Sequence, residues 1–69
     1  MTSKEIKRKL IEKLRNISDD DNFIMGVISN SKRDDDRLSI LEYIDKGKDV
    51  NREQLLLLSV WLDEQHQAP

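Results

Sequence analysis

The most apolar stretch of the chain, residues 55–62, reads LLLLSVWL and contains the only tryptophan. Asn51 lies just before it as a helix N-cap, since its side-chain oxygen can accept a hydrogen bond from a free amide of the first turn. Gln54, three residues later, has the spacing of a capping box. The sequence therefore predicts a helix over about 52–65 that is apolar on almost every side. Such helices are usually buried on several sides, so we expect this one to be central in the fold or to be partly covered by another molecule.

The apolar side chains of this helix fall into two groups, because successive residues are rotated by about 100°. The first group is the expected hub against which the rest of the chain packs: Leu55, Leu58, Trp61 and Leu62. The second group, Leu56 and Val60, extends the apolar surface beyond what one face can bury. A narrow polar strip completes the circumference: Arg52, Ser59, Asp63 and His66.

Apolar residues recur with the helical period in three further segments, about 3–17, 19–30 and 35–46. Their expected buried side chains are mostly aliphatic: Ile6, Leu10, Leu14, Ile17, Phe23, Ile24, Val27, Ile28, Leu38, Ile40, Leu41 and Ile44. The connectors are short, and no segment alternates with a period of two. The chain therefore predicts an all-α fold, a small compact four-helix domain over residues 1–69. Its C-terminal tail should fray from about residue 66.

Capping residues predict where these helices begin and end. Thr2 is expected to cap the first helix and Ser18 the second. Aspartate triplets at 19–21 and 34–36 place negative charge where the positive end of a helix dipole favours it. Gly47 is expected to end the third helix in a left-handed conformation.

The length and composition of the chain limit its stability and its location. A 69-residue chain buries a limited core. It has no cysteine, so it can form neither disulfides nor thiolate metal sites, and it fits a reducing compartment. No apolar run reaches the ~18 residues of a transmembrane helix, and the first residues lead into an amphipathic pattern, not into a signal-peptide core. We therefore expect a cytoplasmic protein.

Gly26, inside the second helix, is expected to permit a close contact between helices.

Charge is distributed unevenly along the chain. Residues 1–17 carry six basic and two acidic side chains, whereas residues 18–69 carry six basic and twelve acidic ones. The overall net charge of −2 therefore hides a bipolar molecule. These charges either pair within the monomer or join the basic first helix of one copy to the acidic surface of another, which would give a homodimer.

No set of residues predicts catalysis. The only histidine, His66, lies at the expected frayed end, where it is too mobile to hold a geometry for proton transfer. Ser59, Asp63 and His66 follow one another along one helix but lack an oxyanion hole and a rigid support. Neither aspartate triplet has the alternating oxygen ligands and glycine of a calcium loop. We therefore predict no metal, no cofactor and no enzymatic activity.

A protein partner is the class of partner that the sequence favours. Leu56 and Val60 exceed what the fold needs to bury, and acidic side chains flank them, which is typical of an interaction site. The alternative is that another helix of the monomer covers them. The chain thus predicts a non-enzymatic protein–protein interaction module or a regulatory or accessory module. The expected partner-facing residues are Leu56, Val60 and Trp61, with Arg8 and Arg15 as secondary charge contacts.

Two other functions are alternatives. The aspartate triplets could present negative charge to a nucleic-acid-binding protein and block its groove, which would make the chain an acidic mimic. The basic first helix could instead bind nucleic acid weakly through phosphate contacts. A helix-turn-helix is disfavoured, since the helix after Gly47 has leucines where a recognition helix needs polar residues. A membrane surface is disfavoured too, because the first helix has no Trp or Phe for the interface.

Overall fold

The computed structural model describes residues 1–67, which form four α-helices and no strand. The helices are α1 (Ser3–Ile17), α2 (Asp21–Asn30), α3 (Asp34–Lys46) and α4 (Arg52–Gln67). The predicted all-α, four-helix domain is thus confirmed. His66 and Gln67, which the sequence assigns to a fraying tail, belong to α4, and residues 68–69 of that tail lie outside the described residues. No helix within residues 1–67 is long and apolar enough to cross a bilayer.

Side chains cap α1 and α4 where the sequence predicts. Thr2 Oγ1 accepts the N–H of Glu5 at 3.2 Å, and Asn51 Oδ1 accepts the N–H of Gln54 at 2.9 Å. Each bond satisfies an amide that the first helical turn leaves without an intrahelical partner. The side chain of Gln54 does not return to its cap. It accepts the hydroxyl of Tyr43 at 3.4 Å and so links α4 to α3.

The start of α2 and the end of α3 differ from the prediction. Ser18 ends α1, and Asp20 caps α2 by accepting an N–H of the first turn at 3.0 Å. Gly47 ends α3 in an extended conformation (φ −76°, ψ 141°), not in a left-handed one. The requirement for glycine is steric, because a Cβ at this position would lie 2.9 Å from the carbonyl oxygen of Tyr43 and would overlap the side chain of Val50.

All four helices contribute to a single core. The buried apolar residues are Ile6, Leu10, Leu14, Phe23, Ile24, Val27, Ile28, Ile40, Leu41 and Leu55. Partly buried side chains surround them: Ile11, Ile17, Ile44, Val50, Leu56, Leu58 and Leu62. Leu55 is the one apolar residue of α4 in the buried set, so the prediction that α4 is central is not confirmed. Leu38 of α3, predicted to be buried, is exposed.

The helices follow the order α1, α3, α4, α2 around the core. α1 packs mainly on α3 and more weakly on α2, whereas α4 packs mainly on α2 and more weakly on α3. Both main pairs are parallel, since like ends meet: Ser3 with Asp34, Lys13 with Asp45, Asp20 with Arg52 and Asn30 with Ser59. α1 and α4 therefore lie diagonally opposite each other, and their outer faces point to opposite sides of the molecule.

Candidate interaction surface

The outer face of α4 carries three exposed apolar side chains. Leu57 is 64% exposed, Trp61 is 54% exposed and Val60 is 41% exposed. Their spacing of three and four residues makes them neighbours on one face of the helix, and we call these three residues the α4 stripe. Glu53 and Glu64 are exposed on the same face, one at each end of the stripe. The surface is therefore apolar in the middle and acidic at both ends.

The structure exposes two of the three predicted partner-facing residues of this helix and leaves the third half-buried. Val60 and Trp61 are exposed on the α4 stripe, so Trp61 is not part of the hub where the sequence also placed it. Leu56 is half-buried and packs against the core. A Cβ added at Gly26 would lie only 3.3 Å from Cδ2 of Leu56. The predicted close contact between helices at this glycine is therefore confirmed. The prediction missed Leu57, the most exposed member of the stripe.

The polar strip of α4 faces the other helices, and this explains why the α4 stripe faces solvent. Ser59 is fully buried; its hydroxyl donates to a carbonyl of its own helix at 2.8 Å and accepts from Asn30 Nδ2 at 3.3 Å. His66 Nε2 lies 3.0 Å from Oδ1 of Asp36, a hydrogen bond, and 2.8 Å from Oδ2 without hydrogen-bond geometry. These polar contacts fix the rotation of α4 about its own axis.

The same contacts engage two of the side chains that resemble a catalytic set in the sequence. The Ser59 hydroxyl is buried and already bonded, and His66 contacts Asp36 of α3. Within residues 1–67, no group of three or more histidine or carboxylate side chains could hold a metal ion.

The two aspartate triplets are largely engaged within the fold. The engaged carboxylates and their partners are Asp20 with Arg52, Asp21 with Arg15, Asp34 with Ser3 and Asp36 with His66. Asp19 and Asp35 are exposed, and Asp20 and Asp21 are exposed too within their ion pairs. The triplets therefore present less free negative charge than their sequence suggests, which weakens the support for an acidic mimic.

One side of the exposed surface of α1 is basic, with Glu5 and Glu12 exposed beside it, and it lies on the opposite side of the molecule from the α4 stripe. Lys4, Arg8 and Arg15 are exposed, and Ile11 between them is half-buried. Arg15 lies 3.6 Å from Asp21 in an ion pair that is exposed on both sides. Within residues 1–67, no carboxylate oxygen comes within 4.0 Å of the side-chain nitrogens of Lys4 or Arg8. We call these four α1 residues the α1 basic face.

The resolved pKa shifts belong to one exposed pair on α3. Lys46 Nζ donates to Glu42 Oε1 at 2.6 Å. This hydrogen bond, with the attraction of the opposite charges, lowers the pKa of Glu42 and raises the pKa of Lys46. The pair is a solvent-exposed helix contact of the i,i+4 type and contributes little to stability.

The fold and its surfaces define a small four-helix protein with an apolar stripe on one side and a basic face on the other. Similarity adds nothing to this description, since no family model matches the chain and no curated protein or solved structure matches it.

Proposed function

We propose that the chain is a protein–protein interaction module that binds its partner through the α4 stripe. The proposal is carried by the joint exposure of Leu57, Val60 and Trp61 on one helix face. Burying the exposed parts of these three side chains favours association by on the order of 3–4 kcal/mol before the loss of freedom on binding is counted. Tryptophan is enriched among the residues that dominate binding energy. Glu53 and Glu64 would form part of the polar rim that surrounds such an apolar centre.

In this proposal the chain catalyses no reaction and acts as a regulatory or accessory component. Its place is the cytoplasm, because the absence of cysteine fits a reducing compartment. The partner gains apolar contact area from α4 without any rearrangement of the bundle, since the three side chains already face solvent.

Photocrosslinking from α4 tests this function. A photoreactive phenylalanine analogue replaces Leu57 in one variant and Met25, which is 60% exposed on α2, in a matched control. Circular dichroism establishes that both variants fold. In extract of the native cell, we expect a discrete adduct from position 57 and none from position 25. Equal labelling from both positions, or no adduct from either, would contradict the proposal.

Weak nucleic-acid binding by the α1 basic face is a second candidate. It is favoured by Lys4 and Arg8, whose side-chain nitrogens have no carboxylate oxygen of residues 1–67 within 4.0 Å. Phosphate contacts of this kind weaken steeply as salt rises. A mobility shift at low salt that is lost in Arg8→Gln would support this function, whereas the absence of any shift at low salt would exclude it.

A further inference from the structure

We propose that the occupant of the α4 stripe is the α1 basic face of a second copy of this chain, so that copies associate head to tail. This inference rests on the proposed function, because it names the partner of the same stripe. It is carried by the matching spacing and charge of two faces that one molecule cannot bring together.

The spacing of the two faces is the same. On α4 the outward residues follow one another at intervals of four, three and four: Glu53, Leu57, Val60 and Glu64. On α1 the intervals are identical: Lys4, Arg8, Ile11 and Arg15. The charged ends of each face are eleven residues apart, which is about 16 Å along a helix that rises 1.5 Å per residue. Two antiparallel or two parallel helices can therefore place a basic residue opposite each glutamate.

The middle of each face supplies the apolar part of the contact. Ile11 is half-buried on α1, with part of its side chain at the surface. Arg8 lies opposite Leu57 in the parallel alignment and opposite Val60 in the antiparallel one, and in either its aliphatic stem can cover that side chain, as long basic side chains commonly cover apolar surface. A cation brought over the exposed Trp61 ring would be attracted to the negative face of that ring.

A single molecule cannot satisfy its own two faces. α1 and α4 lie diagonally across the core, so the α1 basic face and the α4 stripe point in opposite directions. Each face therefore needs another copy, and a copy that is bound through one face still presents the other.

Charge disfavours the symmetric alternatives. If two copies paired through α4, Glu53 would meet Glu53 in a parallel alignment and Glu64 in an antiparallel one. Two copies paired through α1 would bring basic residues together in the same way. The contact is thus heterologous, and a heterologous contact continues into open chains or closes into a ring. One helix on one helix gives an interface at the small end of the known range, so the association is weak and reversible.

Sedimentation velocity with charge-swapped variants tests this inference. Wild-type protein is examined at low salt from about 10 µM to about 1 mM, where weak interfaces of this size associate. One variant carries Lys4→Glu and Arg15→Glu, and a second carries Glu53→Lys and Glu64→Lys. A control with the same net charge as the first variant reverses two exposed lysines outside both faces, Lys32→Glu and Lys48→Glu. Circular dichroism confirms that each variant is folded.

We expect the average mass of the wild type and of the control to rise with concentration. Each swapped variant should associate at least tenfold more weakly, and an equimolar mixture of the two should regain the association, because each altered face then finds its complement. A wild type that stays at 8.1 kDa throughout overturns the inference. So does undiminished association of the Lys4→Glu, Arg15→Glu variant, which indicates a contact that does not use the α1 basic face.

The crosslink from position 57 separates this inference from the proposed function. An adduct of twice the 8.1 kDa mass supports a second copy as the occupant. An adduct with a different protein, together with a monomeric wild type, overturns the second-copy inference and leaves the interaction function intact. No adduct at all, either in extract or with the purified variant at about 1 mM and low salt, overturns both.

Discussion

His66 Nε2 lies 3.0 Å from Oδ1 of Asp36 and ties the last turn of α4 to the first turn of α3. Asp36 is 5% exposed, so its carboxylate has little water to replace a lost partner. The contact makes the end of α4 part of the fold, although the sequence alone places His66 in a frayed tail.

Replacement of His66 by Ala should destabilise the protein by about 1–3 kcal/mol, the usual penalty for leaving a buried polar group without a partner. Gln65→Ala, on the exposed side of the same turn, is the matched control and should change stability by less than about 0.5 kcal/mol. Urea unfolding followed by circular dichroism measures both. Equal stability of the two variants would show that the contact with Asp36 contributes nothing.

The rotation of α4 about its axis leads to a second prediction, in which the more apolar variant is the less stable one. Ser59→Leu would make the helix more apolar, yet Ser59 is fully buried against α2, so the larger side chain should destabilise the fold by about 1–3 kcal/mol. Leu57→Gln removes an apolar side chain and should stay within about 0.5 kcal/mol of wild type, because Leu57 is exposed. Denaturant midpoints compare the two variants. The opposite ranking would mean that Leu57, and not Ser59, faces the core.

The two glycines should differ in their tolerance of a methyl group. In Gly47→Ala the new Cβ meets the Tyr43 carbonyl and the Val50 side chain, so we expect a loss of about 1–3 kcal/mol. In Gly26→Ala the Cβ meets the flexible end of half-buried Leu56, which can shift, and alanine is favoured in a helix interior by about 1 kcal/mol. Gly26→Ala should therefore be neutral or stabilising. Thermal unfolding of both variants checks this order.

The sequence predicts the helices well because their signals are local. The helical period and the caps at Thr2 and Asn51 depend on neighbours within one turn, and the structure has both bonds. The rotation of α4 is not local. Four consecutive leucines leave almost every side of this helix apolar, so the pattern cannot select the inward face. Pairing of Ser59 with Asn30 and of His66 with Asp36 selects it, across about thirty residues.

The order of the helices around the core is hidden from the sequence for a related reason. A periodic stripe predicts that a helix face is buried, but it does not predict which helix covers it. Gly26 is the one local feature that indicates a close helix neighbour, because the absence of a side chain leaves room for Leu56 of α4. On α4 the corresponding feature is the small side chain of Ser59, one turn after Leu55. It could have predicted which face of α4 points toward the core.

Trp61 makes the occupancy of the α4 stripe measurable without a label, because it is the only tryptophan and is 54% exposed. At low concentration we expect emission close to that of the urea-unfolded chain and ready quenching by acrylamide. At high concentration and low salt, association through the stripe should shift the emission to shorter wavelength and protect the ring. Raising the salt to about 0.5 M should reverse both changes. At this ionic strength the screening length is shorter than the ~8 Å of physiological salt, so the attraction between exposed charges is weakened. The Lys4→Glu, Arg15→Glu variant keeps Trp61 and its surroundings unchanged, so its spectrum should not depend on concentration. A wild-type spectrum equally independent of concentration would exclude the stripe as a contact between copies.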